Sequence, residues 1–314
     1  MPKVSILVPA FRPEYLDACI LSALNQTFRD FELIISDDSN GNGVESVVSK
    51  WHDGRLKYMK NPNRQMPGTN RDFLISNASG QYIKFLFDDD YLMPQSVEYL
   101  IGIAEQLKAK LVFHGRYFVD TAGRILSSPL YVQHNSAILL SAEEYFEEMI
   151  GNCFNFIGEP TNVLIDAEVL RTIPNPFGFE TMRMRFLTDV ALYTNVARHG
   201  LTMAGIGYIG SAFRQHATQT SSATSPNYSA GLFEWEIFLR YAVDDGYLSV
   251  GQFNQAMKRQ LDFYCNFTDG FPELKSFIEL SGDGENGRYF TERFLAIVNS
   301  AYSVIDLRRN RAQR

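Results

Sequence analysis

The stretch that most constrains this chain is residues 82–94, YIKFLFDDDYLMP. Its first part, Tyr82 to Phe87, is a short, almost wholly apolar run of strand-forming residues, the pattern of a strand buried on both faces. The run ends in Asp88, Asp89 and Asp90. Three adjacent carboxylates repel one another and are costly to bury bare. A divalent cation, Mg²⁺ or Mn²⁺, resolves that conflict, because such ions take hard oxygen ligands. In an open α/β sheet the carboxyl end of a strand is also where ligands sit. On pattern alone the triplet reads equally as a solvated acidic turn before a helix, with Asp90 as a helix N-terminal residue.

Around this stretch the chain alternates. Residues 4–8 form a second buried-strand candidate, and residues 13–25 have helical spacing with Leu16, Ile20, Leu21 and Leu24 on one side. The intervening Pro9-Ala10-Phe11-Arg12-Pro13 contains no glycine, so the dinucleotide-binding turn is absent. Strands follow at 31–36, 56–59 and 111–119, with helices at 44–51, 70–78 and from Pro94 to about Lys108. This order predicts an α/β fold with a mostly parallel central sheet covered by helices. Thr121-Ala122-Gly123-Arg124 reads as a hairpin turn. Beyond it the pattern loosens: a helix at 142–150, a short strand at 161–165, a helix at 186–199, a strand at 202–209, and helices from Tyr228 onward, interrupted near 269–272 and 281–288.

Composition sets the class. At 314 residues the chain is long enough for one large domain or one domain with a helical extension. A net charge of −7 argues against a nucleic-acid partner. Cys19, Cys153 and Cys265 are far apart in sequence, form no metal-ligand pattern and fit a reducing compartment. No signal peptide is visible and no apolar run reaches the roughly 18 residues a membrane span needs, which predicts a cytoplasmic protein. The terminal Arg308-Arg309-Asn310-Arg311 leaves open a peripheral contact with anionic lipid on the inner face of the membrane. The apolar face of the last helix fits core or a homodimer contact.

Two further acids end a strand, Asp37 and Asp38. They suit hydrogen bonding to a nucleobase or ribose, and suit equally the capping of the next helix. Arg71 is either a surface charge or a diphosphate contact. In residues 152–162, NCFNFIGEPTN, Glu159 either sits in a tightly packed Gly-Pro turn or contacts a hydroxyl.

The ordered pieces VSILVPAFRPEYLDACILSALNQTF, FELIISDDSN and GTNRDFLISNASGQYIKFLFDDDYLMP resemble the family 2 glycosyltransferases, inverting nucleotide-sugar enzymes of GT-A fold. The resemblance covers residues 4–222. It implies that Pro9, Ala10 and Arg12 line a nucleotide pocket, that Asp37 or Asp38 meets the base with Arg71 nearby, and that Asp88 reaches the ribose. It implies a Mn²⁺ or Mg²⁺ ion on Asp89, with Asp90 the competing ligand, because Phe87 stands where the family usually has an acid. It further implies that Asp189, in Thr188-Asp189-Val190-Ala191-Leu192-Tyr193, is the general base. Phe213-Arg214-Gln215-His216 resembles a motif whose histidine joins the metal or diphosphate, with Arg214 on the acceptor or diphosphate side.

The fold expected is therefore a GT-A domain over residues 1–225, with a nucleotide-binding half at 1–110, an acceptor-side half at 111–225, and a helical extension at 226–314. The function expected is transfer of a sugar from a nucleotide sugar, uridine-linked by family habit, to a saccharide or lipid-linked saccharide. The competing readings are a nucleotide-sugar-binding module with impaired catalysis, since Phe87 and Thr188 replace common acids, and a sugar nucleotidyltransferase, which the glycine-free PAFRP turn disfavours.

Overall fold

The computed structural model describes residues 1–66, 68–216, 219, 222, 225–282 and 284–312. Pro67, much of the Ser/Thr-rich segment after His216, and residues 313–314 of the basic terminus lie outside the described residues. The strands are β1 (Val4–Ala10), β2 (Phe31–Asp37), β3 (Leu56–Lys60), β4 (Tyr82–Phe85), β5 (Tyr91–Leu92), β6 (Leu111–Val119), β7 (Ile125–Ser127), β8 (Ala137–Leu140), β9 (Val163–Asp166) and β10 (Met203–Arg214). The helices are α1 (Leu16–Leu24), α2 (Gly43–Val48), α3 (Thr69–Asn77), α4 (Ser96–Leu107), α5 (Ala142–Tyr145), α6 (Ala167–Thr172), α7 (Thr188–Arg198), α8 (Tyr228–Asp244), α9 (Val250–Phe267), α10 (Lys275–Leu280) and α11 (Glu292–Ala312).

The chain forms two compact units. One comprises Met1–Leu140, Ile157–Pro174 and Leu201–His216; the other comprises Ser141–Phe156, Asn175–Gly200 and Ala217–Arg314. The first holds a single ten-stranded sheet in the order β3-β2-β1-β4-β9-β6-β10-β5, with β7 on β6 and β8 on β10. The alternation read from the sequence becomes the parallel block β3-β2-β1-β4, and β6 and β10 are also parallel to each other. Antiparallel pairing enters through β9, inserted between β4 and β6, and through the short strands β5, β7 and β8.

Register decides where chemistry can occur. Ala10 lies opposite Asp37, and Leu7 opposite Phe85, so β1, β2 and β4 reach their carboxyl ends side by side. Every residue of β2 is buried, the polar Glu32, Ser36 and Asp37 included, as expected of a strand covered on both faces. Val4, Ile6 and Val8 of β1 pack with Leu16, Cys19 and Ile20 of α1 and Val97, Leu100 and Ile101 of α4. Helix α3 packs against β1 and β2 with Leu74 buried.

Glu32 ties this block together. Its carboxylate accepts from the Ser5 hydroxyl of β1 (2.6 Å), the Lys57 ammonium of β3 (2.7 Å), and both the amide and the hydroxyl of Ser79 ahead of β4 (2.8 Å each). Burial opposes its charge, but Lys57, Ser5 and Ser79 together hold its pKa at about 2.

The second unit is helical. A capping box between Ser141 and Glu144 starts α5, which passes into a π-helical turn at Phe146–Ile150 rather than continuing as the α-helix expected to residue 150. Ser249 and Gln252 form a second capping box that starts α9, and the break between α8 and α9, with Gly246 at φ +79°, was not anticipated. The core carries Phe233 stacked on Phe277 at 4.8 Å. It also buries an ion pair, Glu236 with Arg240 (2.7 Å), whose carboxylate accepts from the Tyr264 hydroxyl at 2.8 Å.

The expected boundary at residue 225 is not where the chain divides. Ser141–Phe156 and Asn175–Gly200 belong with the C-terminal helices: the Tyr145 hydroxyl on Thr194 (2.8 Å) joins the two segments, and Glu234 of α8 holds the amides of residues 185–187. Arg308 likewise belongs to the fold: it forks onto Glu273 at 2.8 and 3.0 Å with its guanidinium over Phe271, so it is not one of a set of free lipid-facing cations.

Glu32 gives a pH-signed prediction. A carboxylate held below its unfolded value stabilises the fold above that value, and the stabilisation is lost as pH falls towards the folded pKa. Glu32→Gln should lower the unfolding free energy by about 2 kcal/mol near pH 7. Urea titrations should show the gap from wild type narrowing as pH is lowered from about 4.5 towards about 2.

Candidate active site

The three acids after β4 have three different surroundings. Asp88 Oδ2 accepts from the amides of Phe11 (2.7 Å) and Arg12 (2.8 Å), locking the turn after β1 to the end of β4. Burial pushes its carboxyl up to about 6, against the pull of those two amides. Asp90 is 1% exposed. Its Oδ1 accepts from the Arg214 amide (3.1 Å) and its Oδ2 from the Thr161 hydroxyl (2.9 Å). Burial, then Asp89 and Glu159, drive its pKa well above the carboxylate range. Asp89 keeps 23% of its side chain exposed, and its Oδ2 lies 2.9 Å from His216 Nε2. The helix-terminal reading of Asp90 does not hold, because it fastens β4 to β10 and to the turn before β9.

The end of β10 supplies the facing groups. Arg214 donates through Nε to the Asp89 carbonyl (3.0 Å) and through Nη1 to the carbonyls of Asp120 (3.2 Å) and Thr121 (3.1 Å). Its guanidinium lies 4.4 Å from the Tyr15 ring centre, and Tyr15 also borders the His216 ring at 5.8 Å. Arg214 thus holds the acidic turn in shape, a different task from the acceptor or diphosphate contact expected of it. Asp89 and His216 place a carboxylate oxygen and an imidazole nitrogen 2.9 Å apart. Among the described residues no group of three or more His, Cys, Asp and Glu stands close enough to hold a metal.

Beneath the acids lies Lys84, fully buried, whose ammonium donates to the Thr161 carbonyl. Burial pushes its pKa well down, opposed by Asp90. Glu159 pairs with Arg116 at 3.1 Å within the unit. Burial raises its carboxyl pKa, with Arg116 pulling the other way. Gly158 before it has φ +86°, and a Cβ there would sit 1.7 Å from the Arg116 guanidinium, so the turn requires glycine. The packed-turn reading of this loop therefore describes Glu159 better than a carboxylate waiting for an acceptor.

At the end of β2, Asp37 is fully buried. Its Oδ1 accepts from the amide (2.9 Å) and hydroxyl (2.6 Å) of Ser39, and its Oδ2 from the Tyr58 hydroxyl (2.7 Å). Asp38 is partly exposed and accepts from Asn61 Nδ2 (2.7 Å) and the Gln65 amide (3.0 Å). Neither caps α2, whose N-cap is Asn42. Ala10 is buried, with its carbonyl accepting from the Asp38 amide at 2.8 Å; Pro9 and Arg12 flank it, half-buried. Arg71 sits half-buried near the start of α3.

In the helical unit, Asp189 lies in the first turn of α7. Its Oδ1 accepts from the Val190 amide (2.9 Å) and its Oδ2 from Asn155 Nδ2 (2.7 Å). Tyr15, Asn61, Asn155 and Thr161 escaped the sequence reading. Each is a single polar or aromatic residue in a loop or helix terminus, with no spacing to announce it.

The acids separate by substitution. Asp90→Ala strands the Arg214 amide and the Thr161 hydroxyl, and should cost about 2–3 kcal/mol by urea titration. Asp89→Ala should cost less than about 1 kcal/mol and should remove any Mn²⁺-dependent rise in melting temperature with a nucleoside diphosphate.

A family model described as "Glycosyl transferase family 2" matches residues 5–173, more than half of the chain. The GalNAc(5)-diNAcBac-PP-undecaprenol beta-1,3-glucosyltransferase of Campylobacter jejuni is 39% identical over 110 residues, which is 34% of this chain and 36% of that one. The chain thus spans only about a third of that relative. Escherichia coli WfgD, a UDP-Glc:alpha-D-GlcNAc-diphosphoundecaprenol beta-1,3-glucosyltransferase, is 26% identical over 237 residues, 74% of this chain and 84% of its own. Among solved structures, S. aureus TarS 1-349 in complex with UDP-GlcNAc has a TM-score of 0.61 over 96% of this chain and 81% of that chain, at 16% identity, a likeness of fold. The chain belongs to the family 2 glycosyltransferases, inverting enzymes of GT-A fold.

Proposed function

We propose that the protein transfers a hexose from a uridine diphosphate sugar to a saccharide carried on a lipid diphosphate, in one displacement that inverts the anomeric centre. The observation that carries this reading is the division among Asp88, Asp89 and Asp90. Two are consumed by the fold, and the third is left partly exposed beside an imidazole at the carboxyl end of the sheet. The acceptor class is supported by the C. jejuni and E. coli relatives, both named for undecaprenol-diphosphate-linked substrates. The uridine donor is supported by the UDP-Glc for which WfgD is named.

Asp89 and His216 would hold Mn²⁺ or Mg²⁺, and a carboxylate with an imidazole suits Mn²⁺ better than the all-oxygen shell Mg²⁺ prefers. The bound ion would neutralise charge on the departing diphosphate. Asp38 is the acid available to the nucleobase, because it is partly exposed whereas Asp37 is fully buried. Asp88 keeps the turn at residues 9–12 in place for the nucleotide.

Asp189 takes the proton of the attacking hydroxyl. Asn155 fixes the rotation of its carboxylate. Asp189→Asn keeps the shape and removes the basicity. Turnover should fall by about 10²- to 10⁴-fold, while calorimetry should show uridine diphosphate binding within twofold of wild type. Wild-type turnover in that variant would remove Asp189 from the reaction.

A further inference from the structure

Glu234 of α8 is a fully buried carboxylate in the helical unit that the roles above leave unused. It lies against the three residues that lead into α7. Its Oε1 accepts from the Arg185 amide (2.6 Å), and its Oε2 from the amides of Phe186 (3.1 Å) and Leu187 (2.5 Å). The Tyr302 hydroxyl of α11 donates to the same Oε1 at 2.9 Å. Leu187 is the N-cap of α7, and Asp189 is the second residue of that helix.

The surroundings hold the same segment from other sides. Arg185 forks onto Asp306 of α11 at 3.0 and 2.9 Å, with its guanidinium 4.7 Å from the Tyr302 ring centre. A Cβ on Gly231, one helical turn before Glu234, would meet the Phe186 ring at 2.6 Å, so glycine there admits that ring to α8. Further along α7, the Tyr145 hydroxyl bonds Thr194 (2.8 Å) and the Val190 carbonyl (3.3 Å).

A carboxylate that collects three successive backbone amides is a costly way to buttress a loop, since burying its charge is opposed by desolvation. An apolar side chain could fill the space but could not fix three amide directions at once. The backbone of residues 185–187 sets where α7 begins, and hence where the Asp189 carboxylate points.

We infer that Glu234, held by Tyr302, is the positioning residue for Asp189, so that the C-terminal helices serve the chemical step rather than stability alone. The inference rests on the reading of Asp189 as the base. A group acting through position lowers turnover without loosening the donor, because a displacement of about 1 Å can cost about 10²-fold in rate.

The test measures kcat and donor KM with a uridine diphosphate sugar and a lipid-linked saccharide acceptor in Glu234→Gln, Tyr302→Phe, Asp189→Asn and the double variant Asp189→Asn/Glu234→Gln. Glutamine turns an N–H towards one of the amides and should lower kcat about 10- to 100-fold, with donor KM within about twofold. Tyr302→Phe removes one hydroxyl, gives the same direction with a smaller loss, and serves if the glutamine variant does not fold. In the Asp189→Asn background, Glu234→Gln should cost little further. Asp189→Asn inactive with Glu234→Gln and Tyr302→Phe at wild-type kcat would overturn this inference alone, as would a full multiplicative loss in the double variant. Asp189→Asn at wild-type turnover would overturn the functional reading and this inference with it.

Discussion

Three consecutive carboxylates at the end of a buried strand are an electrostatic problem that the surrounding sheet is built to solve. Side by side they repel, and in a low-dielectric setting they rise in pKa. The solution is to give each a different partner. Asp88 takes two amides of the turn after β1, and Asp90 takes an amide of β10 and a hydroxyl ahead of β9. Those bonds fasten β4 to three other chain segments. They also leave the Asp89 side chain facing His216. Asp89 keeps part of its side chain exposed while its neighbours are tied into the fold.

The same economy recurs in the helical unit. Glu234 gathers amides ahead of α7 as Asp88 gathers amides after β1. In both places a buried carboxylate fixes backbone next to an acid that is partly exposed and proposed to act on substrate. Glu32 does so without any nearby reaction, joining the parallel strands across the block. Buried acids in this chain chiefly connect elements, so an acidic residue in the sequence is not by itself a catalytic candidate.

What could be read from the sequence follows from this distinction. Mainly apolar runs at β1, β2 and β4 and the helical spacing of α1 and α4 are local signals, and they yield the parallel block with its carboxyl ends aligned. The pairings of β9 and of the two-residue β5 are long-range and leave no periodicity to detect. The position of the acidic triplet was legible, because charge following an apolar run is conspicuous. Which acid faces outward was not, since that depends on amides from residues 77 positions earlier and 124 positions later. Arg214 and Glu159 looked available in the sequence and are held by carbonyls and by Arg116. Asn155 and Glu234 carry no motif, and their meaning appears only once α7 is folded against them.

The central claim is an inverting transfer from a uridine diphosphate sugar, and the anomeric configuration of the product tests it most directly. Purified protein with Mn²⁺ would be given an α-linked uridine diphosphate hexose and a short saccharide on a lipid diphosphate, and the new linkage read from its anomeric proton coupling. The account predicts a β-linked product and no product from the guanosine diphosphate sugar. An α-linked product, or no transfer from any uridine diphosphate hexose by folded protein, would contradict it.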